Sequence, residues 1–204
     1  MKNFDSKIQT DIIILDFSKA FDTVPHRKLL HKLSHYGIDG NLLKWLSPFL
    51  TKREQRFIVE GEFSSSVTVD SEVPQGTVLG PLLFVIHIND LPEVVSSQVR
   101  LFADDCLLYR KIRSLRDQLQ LQKDLKSLEN WASTWRMKFN AIKCYKMTIH
   151  RSTKPKNYTY SLDNHLPEHE SEKPYLGLLI SDNLKWSSHI NKITNWATST
   201  LGCT

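Results

Sequence analysis

Apolar runs that end in acids or in glycine set the plan of this chain. Residues 8–15, dominated by Ile12-Ile13-Ile14-Leu15, read as a buried strand that delivers Asp16 at its end. Pro25-His26-Arg27 opens a helix whose apolar face is Leu29, Leu30, Leu33 and Tyr36, and Gly37 stops it. A second helical stretch follows from Asn41, with Leu42, Leu43, Leu46, Phe49 and Leu50 near helical spacing and Trp45 beside them. Pro48 is expected to kink it or end it early. Residues 55–59 and 63–69 alternate as a hairpin turned at Glu60-Gly61-Glu62. Residues 81–88 are apolar on almost every side, which suits a helix buried under a sheet, and Asn89-Asp90-Leu91-Pro92 ends it.

Residues 99–108 then form a hairpin with Asp104-Asp105 at its tip. From Ser114 a long helix begins, with Asp117 placed for a capping-box contact and Leu121, Leu125, Leu128, Ala132 and Trp135 in one apolar stripe. Residues 144–149, 158–162 and 175–180 read as strands, and Ser181-Asp182-Asn183 as a turn. A last helix runs from Trp186 through Ile190, Ile193 and Ala197. The pattern is α+β. With no repeat, low-complexity tract or linker, residues 1–204 read as one domain.

The candidate chemistry lies where the strands end. Asp16 closes one apolar run and Asp104-Asp105 sits at the bend of another, so all three acids can converge on one edge of a sheet. Close carboxylates repel unless cations lie between them, and paired Mg²⁺ ions about 3.5–4 Å apart can activate an attacking oxygen while stabilising the leaving one. An isolated acid after a strand also serves as a turn former or a helix cap. What favours chemistry is the ordered block Val73-Pro74-Gln75-Gly76-Thr77-Val78-Leu79-Gly80-Pro81-Leu82-Leu83-Phe84, followed by Ile88-Asn89-Asp90-Leu91-Pro92.

Taken in order, these blocks resemble the reverse transcriptase domain of non-LTR, LINE-type retrotransposons, particularly jockey and CR1-like elements, over nearly the whole chain. Residues 16–21 are similar to the first palm motif, Pro74-Gln75-Gly76 to the second and Phe102-Ala103-Asp104-Asp105 to the third. Trp135-Arg136-Met137-Lys138-Phe139-Asn140 with Lys143-Cys144 is similar to the fourth, and Tyr175-Leu176-Gly177 to the fifth.

The resemblance implies a polymerase palm with a central antiparallel sheet backed by helices, incomplete fingers and a truncated thumb. The palm core would cover residues 8–150, and a primer-grip hairpin with the start of the thumb residues 151–204. It implies an RNA-directed DNA polymerase acting on an RNA template, a DNA primer and deoxynucleoside triphosphates. Asp16 and Asp104 would be the main ligands of two Mg²⁺ ions, with Mn²⁺ as a substitute, and Asp105 a weaker contributor. Phe21 would crowd the sugar of the incoming nucleotide, although it reads equally as a core residue. Gln75 and Gly76 would contact template and nucleotide. Lys143 would protonate or stabilise pyrophosphate, although local sequence alone reads it as a solvated lysine. Asp22 reads as structural. Two positions depart from the family pattern: Glu72 stands where relatives usually carry Gly, and His87 where they usually carry Tyr.

Composition changes this picture little. A 204-residue chain is long enough to bury a conventional core, and its 40% hydrophobic and 24% charged residues are ordinary for a globular protein. The net charge of +5 permits a polyanionic partner. Cys106, Cys144 and Cys203 are odd in number and widely spaced, which suggests reduced thiols and no structural zinc. Neither a leader peptide in residues 1–6 nor a membrane span is expected, so the setting reads as cytoplasmic and nuclear. Because the chain starts just before the first palm strand, it is expected to be unable to polymerise unaided. The rival reading is a catalytically dead remnant acting only as a nucleic-acid- or protein-binding module. A metal-dependent phosphohydrolase is a further rival, but it gives the Pro-Gln-Gly block no task.

Overall fold

The computed structural model describes residues 8–151 and 155–202. Cys203 and residues 1–6, read above for thiol state and leader, lie outside them. Among the described residues, no helix is long and apolar enough to cross a membrane.

Strand β1 (Gln9–Asp16) lies at the centre of a five-stranded sheet. On one side it pairs antiparallel with β7 (Asp105–Ile112), which pairs in turn with β6 (Gln98–Phe102). On the other side it pairs antiparallel with β8 (Tyr145–Ile149). Among the described residues, the sheet's only parallel pairing joins β8 to the two-residue strand β9 (Glu168–His169), which the hydrophobic pattern did not announce.

Side chains alternate across a strand, so β1 sends Ile13 and Leu15 to one face, and Phe17 just beyond follows them; all three are buried. Helices cover that face. In α1 (His26–His35) Leu29 and Leu33 are buried, in α3 (Leu79–Ile88) Phe84 and Ile88, and in α4 (Leu115–Trp135) Leu121, Leu125 and Leu128. Phe17 anchors the junction. Its ring stacks on Phe139 at 4.6 Å and meets Phe84 edge-on at 6.5 Å. A buried phenylalanine with such partners contributes about 3–5 kcal/mol against Ala.

Local signals fix the ends of the long helix. The Asp117 carboxylate accepts hydrogen bonds from the backbone N–H groups of Arg113 and Ser114, both at 3.0 Å, as the predicted capping box requires. At the other end Arg136 takes a left-handed φ of +57°. The N–H of Met137 then bonds the carbonyl of Ala132 at 2.8 Å and that of Arg136 bonds Ser133 at 3.2 Å, a Schellman closure that turns the chain back along β1.

Three expectations need correction. Helix α2 (Gly40–Thr51) is not ended by Pro48 but continues three residues beyond it, because Leu50 at its far end is fully buried. Residues 158–162 form no strand; only an isolated bridge joins Leu162 to His165. Residues 175–180 are not one strand but straddle a hairpin, β10 (Glu172–Tyr175) and β11 (Leu178–Ser181), turned at Leu176-Gly177 with φ of +48° and +79°. The hairpin expected between α2 and α3 is present. Its outer part pairs β2 (Glu54–Gln55) with β5 (Val67–Thr68), and its inner part β3 (Ile58–Val59) with β4 (Glu62–Phe63) around a turn where Glu60 and Gly61 both have positive φ. The last helix, α5 (Ser187–Leu201), buries none of its described residues.

Candidate active site

Alternation decides which way Asp16 faces. With Ile13, Leu15 and Phe17 turned to the helices, Ile14 and Asp16 must face the opposite side of the sheet, where a cavity of about 330 Å³ opens. Asp16 ends β1 directly opposite Asp105, the first residue of β7. Residues so paired carry Cβ atoms about 4.5–5.5 Å apart on one face. Asp104 lies beside them in the two-residue turn Ala103-Asp104, where Ala103 is held at φ +50°. A left-handed alanine is strained, and such strain collects at functional turns.

The three carboxylates feel one another. Burial pushes the Asp105 carboxyl above its ordinary value, and the charges of Asp104 and Asp16 push it further. Burial also raises Asp16; Lys143 opposes that rise and Asp104 adds to it. Lys143 reaches this place because residues 137–140 run alongside the end of β1. Asn140 N–H donates to the Asp16 carbonyl at 2.8 Å, Ser18 N–H donates to the Lys138 carbonyl at 2.8 Å, and a tight turn follows in which Lys143 N–H bonds the Asn140 carbonyl at 2.9 Å.

The cavity is lined by Asp16, Asp105 and Lys143 together with Tyr145, Tyr175 and Gly177. The β10–β11 hairpin thus closes one wall. Tyr145 donates its hydroxyl proton to the Pro174 carbonyl at 3.3 Å, and burial with the nearby Asp105 charge pushes that hydroxyl up to about 12. Tyr175 is raised for the same reasons. Neither tyrosine was singled out as a site residue from the sequence. Tyr145 opens β8 just after the turn that carries Lys143, and Tyr175 is brought in by the hairpin. Behind the acids, Cys106 and Cys144 are buried free thiols, pushed by burial to about 12 and about 11.

The remaining sequence-predicted residues form a second group around the turn after β1. Phe21 is half-buried, its ring 4.6 Å from Phe84. Gln75 is exposed and donates from Nε2 to Asp22 Oδ1 at 2.7 Å, which gives Asp22 its structural task. Gly76 uses a φ of +76° in the Pro-Gln-Gly loop. Thr77 clips that loop by donating to the Pro74 carbonyl at 2.7 Å while accepting from Gly80 N–H at 3.0 Å. A Cβ on Gly80 would lie 2.3 Å from the Pro74 carbonyl oxygen, so the site needs glycine there.

Among the described residues, no three His, Cys, Asp or Glu side chains are arranged to enclose an ion by themselves. The donor set nonetheless suits a hard cation, since Mg²⁺ commonly takes one or two carboxylates and completes its shell with water and phosphate oxygens.

A central antiparallel sheet backed by helices, with facing acids at one edge and a hairpin closing over them, defines the palm of a template-directed polymerase. The chain belongs to the family "Reverse transcriptase (RNA-dependent DNA polymerase)", whose model matches residues 2–180, and it is a reverse transcriptase domain of the non-LTR, LINE type. It is similar to the RNA-directed DNA polymerase from mobile element jockey of Drosophila melanogaster, with 32% identity over 88% of this chain and 20% of that protein. The probable RNA-directed DNA polymerase from transposon X-element of the same organism is 30% identical over 93% of this chain and 21% of its own length. The chain therefore spans about a fifth of these relatives. Among solved structures, telomerase from Candida tropicalis in complex with a TWJ fragment of telomeric RNA matches with a TM-score of 0.62 at 10% identity, over 87% of this chain and 29% of that one, a likeness of fold. Reverse transcriptases as a family use divalent metals.

Proposed function

We propose that this chain carries the nucleotidyl-transfer centre of an RNA-directed DNA polymerase, which extends a DNA primer along an RNA template. The observation that carries the reading is the register of Asp16 against Asp105, with Asp104 in the adjoining turn and Lys143 on the same cavity. Asp16, Asp104 and Asp105 would hold two Mg²⁺ ions, or Mn²⁺ in their place, which would activate the primer 3′ hydroxyl and neutralise charge on the incoming triphosphate. The protein's own part is placement. The Asp16–Asp105 pairing fixes where charge is held, and the Phe17 stack keeps Asp16 from turning inward.

Lys143 sets a cation beside Asp16, positioned to stabilise or protonate the departing pyrophosphate. Phe21 stands at the edge of the core, where its ring can crowd a ribose 2′ hydroxyl. Gln75, held by Asp22, and Gly76, with its open backbone, offer contacts to template and nucleotide. The binding-only alternative leaves the shared cavity of Asp16, Asp105 and Lys143 without a task.

The test uses Asp16→Asn in the full-length polymerase of such an element. Metal-dependent primer extension should be abolished. Metal-free stability of the domain should hold or rise by about 0.5–1 kcal/mol, because a repulsion is removed. Near-normal extension by this variant would refute the assignment.

A further inference from the structure

We propose that a second, basic cavity on this chain binds phosphate groups, apart from the carboxylate centre. It has a volume of about 530 Å³ and lies between the start of α1, the end of α4 and the base of the exposed hairpin. Its lining includes the three cations Arg27, Lys28 and Arg136 against the single carboxylate of Asp70, so the formal balance is 3 − 1 = +2.

The arginines are uncommitted. Arg53 pairs with Glu72, Arg100 donates to the Val99 carbonyl, and Arg110 reaches Ser96, Ser97 and Asp117, while the exposed Arg56 and Arg116 are as open as the two cavity arginines. The guanidinium groups of Arg27 and Arg136 make no side-chain hydrogen bond or ion pair with any described residue. Lys28 is partly held, donating to the Thr134 carbonyl at 2.5 Å.

Arg136 supplies an independent argument. It occupies the left-handed position that closes α4, at φ +57°, where glycine is the favoured residue. A long cationic side chain at a position that strains its backbone calls for a gain elsewhere, and this one lines the cavity. Further donors come from the main chain, because the first turn of α1 has no acidic side chain and the N–H groups of Arg27 and Lys28 have no intrahelical acceptor. Planar guanidinium forks match phosphate oxygens in pairs, so the ligand chemistry is a phosphate oxyanion. It could be carried by free pyrophosphate or by the backbone of a nucleic-acid strand.

Calorimetric titration of the chain in EDTA, which removes metal-mediated binding at the acids, tests this with two probes: inorganic pyrophosphate and a short single-stranded oligonucleotide. Arg27→Gln and Arg136→Gly should each weaken binding about tenfold. For the oligonucleotide each should also lower the salt slope by about one. Arg136→Gly should meanwhile unfold about 2–4 °C higher, the opposite of a structural lesion. Loss for pyrophosphate alone identifies a free anion as the ligand, and loss for the oligonucleotide alone identifies a strand. Unchanged affinity for both probes in both variants overturns the proposal.

Discussion

His87 should make this fold acid-sensitive in a way that a single substitution removes. The residue is fully buried in α3, neither ring nitrogen makes a well-formed hydrogen bond, and its ring lies edge-on to Trp135 at 5.9 Å. Burial, and then the neighbouring charge of Lys32, lower its pKa from 6.5 to about 3. The unfolded chain therefore takes up a proton below 6.5 that the folded chain refuses until about 3, so stability falls as the pH falls through that window. Between pH 7 and pH 5 the loss from this residue comes to about 2 kcal/mol, approaching a slope of about 1.4 kcal/mol per pH unit. In a domain of this size that is a drop of roughly 4–8 °C in melting temperature. Urea unfolding of the chain and of His87→Leu at both pH values is the assay. The difference between the two proteins cancels every group they share, and it should shift by about 2 kcal/mol in favour of the leucine variant on acidification. Parallel pH profiles would refute the reasoning.

Other substitutions probe the frame around the site. Glu72 has φ +99°, a backbone state natural to glycine, and its carboxylate pairs with Arg53 at 2.9 Å in a half-exposed contact of little energetic worth. Glu72→Gly should therefore exceed Glu72→Ala in stability by about 1 kcal/mol, whereas in a helix or strand glycine is the poorer residue; equal chemical-denaturation midpoints would contradict the strain. Lys32 is buried, donates to Asp90 at 2.5 Å and to the His87 carbonyl, and lies 3.7 Å from the Trp135 ring centroid. Neutralising its partner with Asp90→Asn should cost about 3 kcal/mol in urea titrations, and a loss below about 1 kcal/mol would place that charge in better contact with water than the structure gives it. Gly80→Ala forces a methyl against the Pro74 carbonyl and should cost about 1–3 kcal/mol. Hydrogen exchange should then show the 74–77 loop opening ahead of the core, and unchanged protection there would argue against a tight packing site.

What could be read from the sequence was what one segment decides for itself. The capping box at Ser114 and Asp117, the glycine stop at Gly37 and the Glu60-Gly61 turn depend on neighbours a few residues away, and all stand as expected. The misread elements are those where distant groups overrule local preference. Residues 158–162 favour a strand, yet Tyr160 and Leu162 sink into the core and their backbone is served by side chains: Gln122 holds both the N–H and the carbonyl of Ser161, at 2.8 and 3.0 Å, and Lys146 donates to the Tyr158 carbonyl at 2.8 Å. Pro48 removes one donor late in α2, and burial of Leu50 offsets that loss. The same division runs through the site. That Asp16 would end a strand was legible from the apolar run before it, but its facing was not, because four successive apolar residues show no alternation, nor was the acid opposite it, because register is set by pairing across nearly ninety residues of chain. The sheet places Asp105 directly opposite Asp16, and Asp104 lies in the adjoining turn. The two neighbours are thus held differently. Asp105 is fixed by a ladder that also orders Cys106 and Leu108 in the core, whereas Asp104 rests on a two-residue turn strained at Ala103. Relaxing that turn, for instance with Ala103→Gly, should alter the placement of Asp104 and leave the Asp16–Asp105 pair intact.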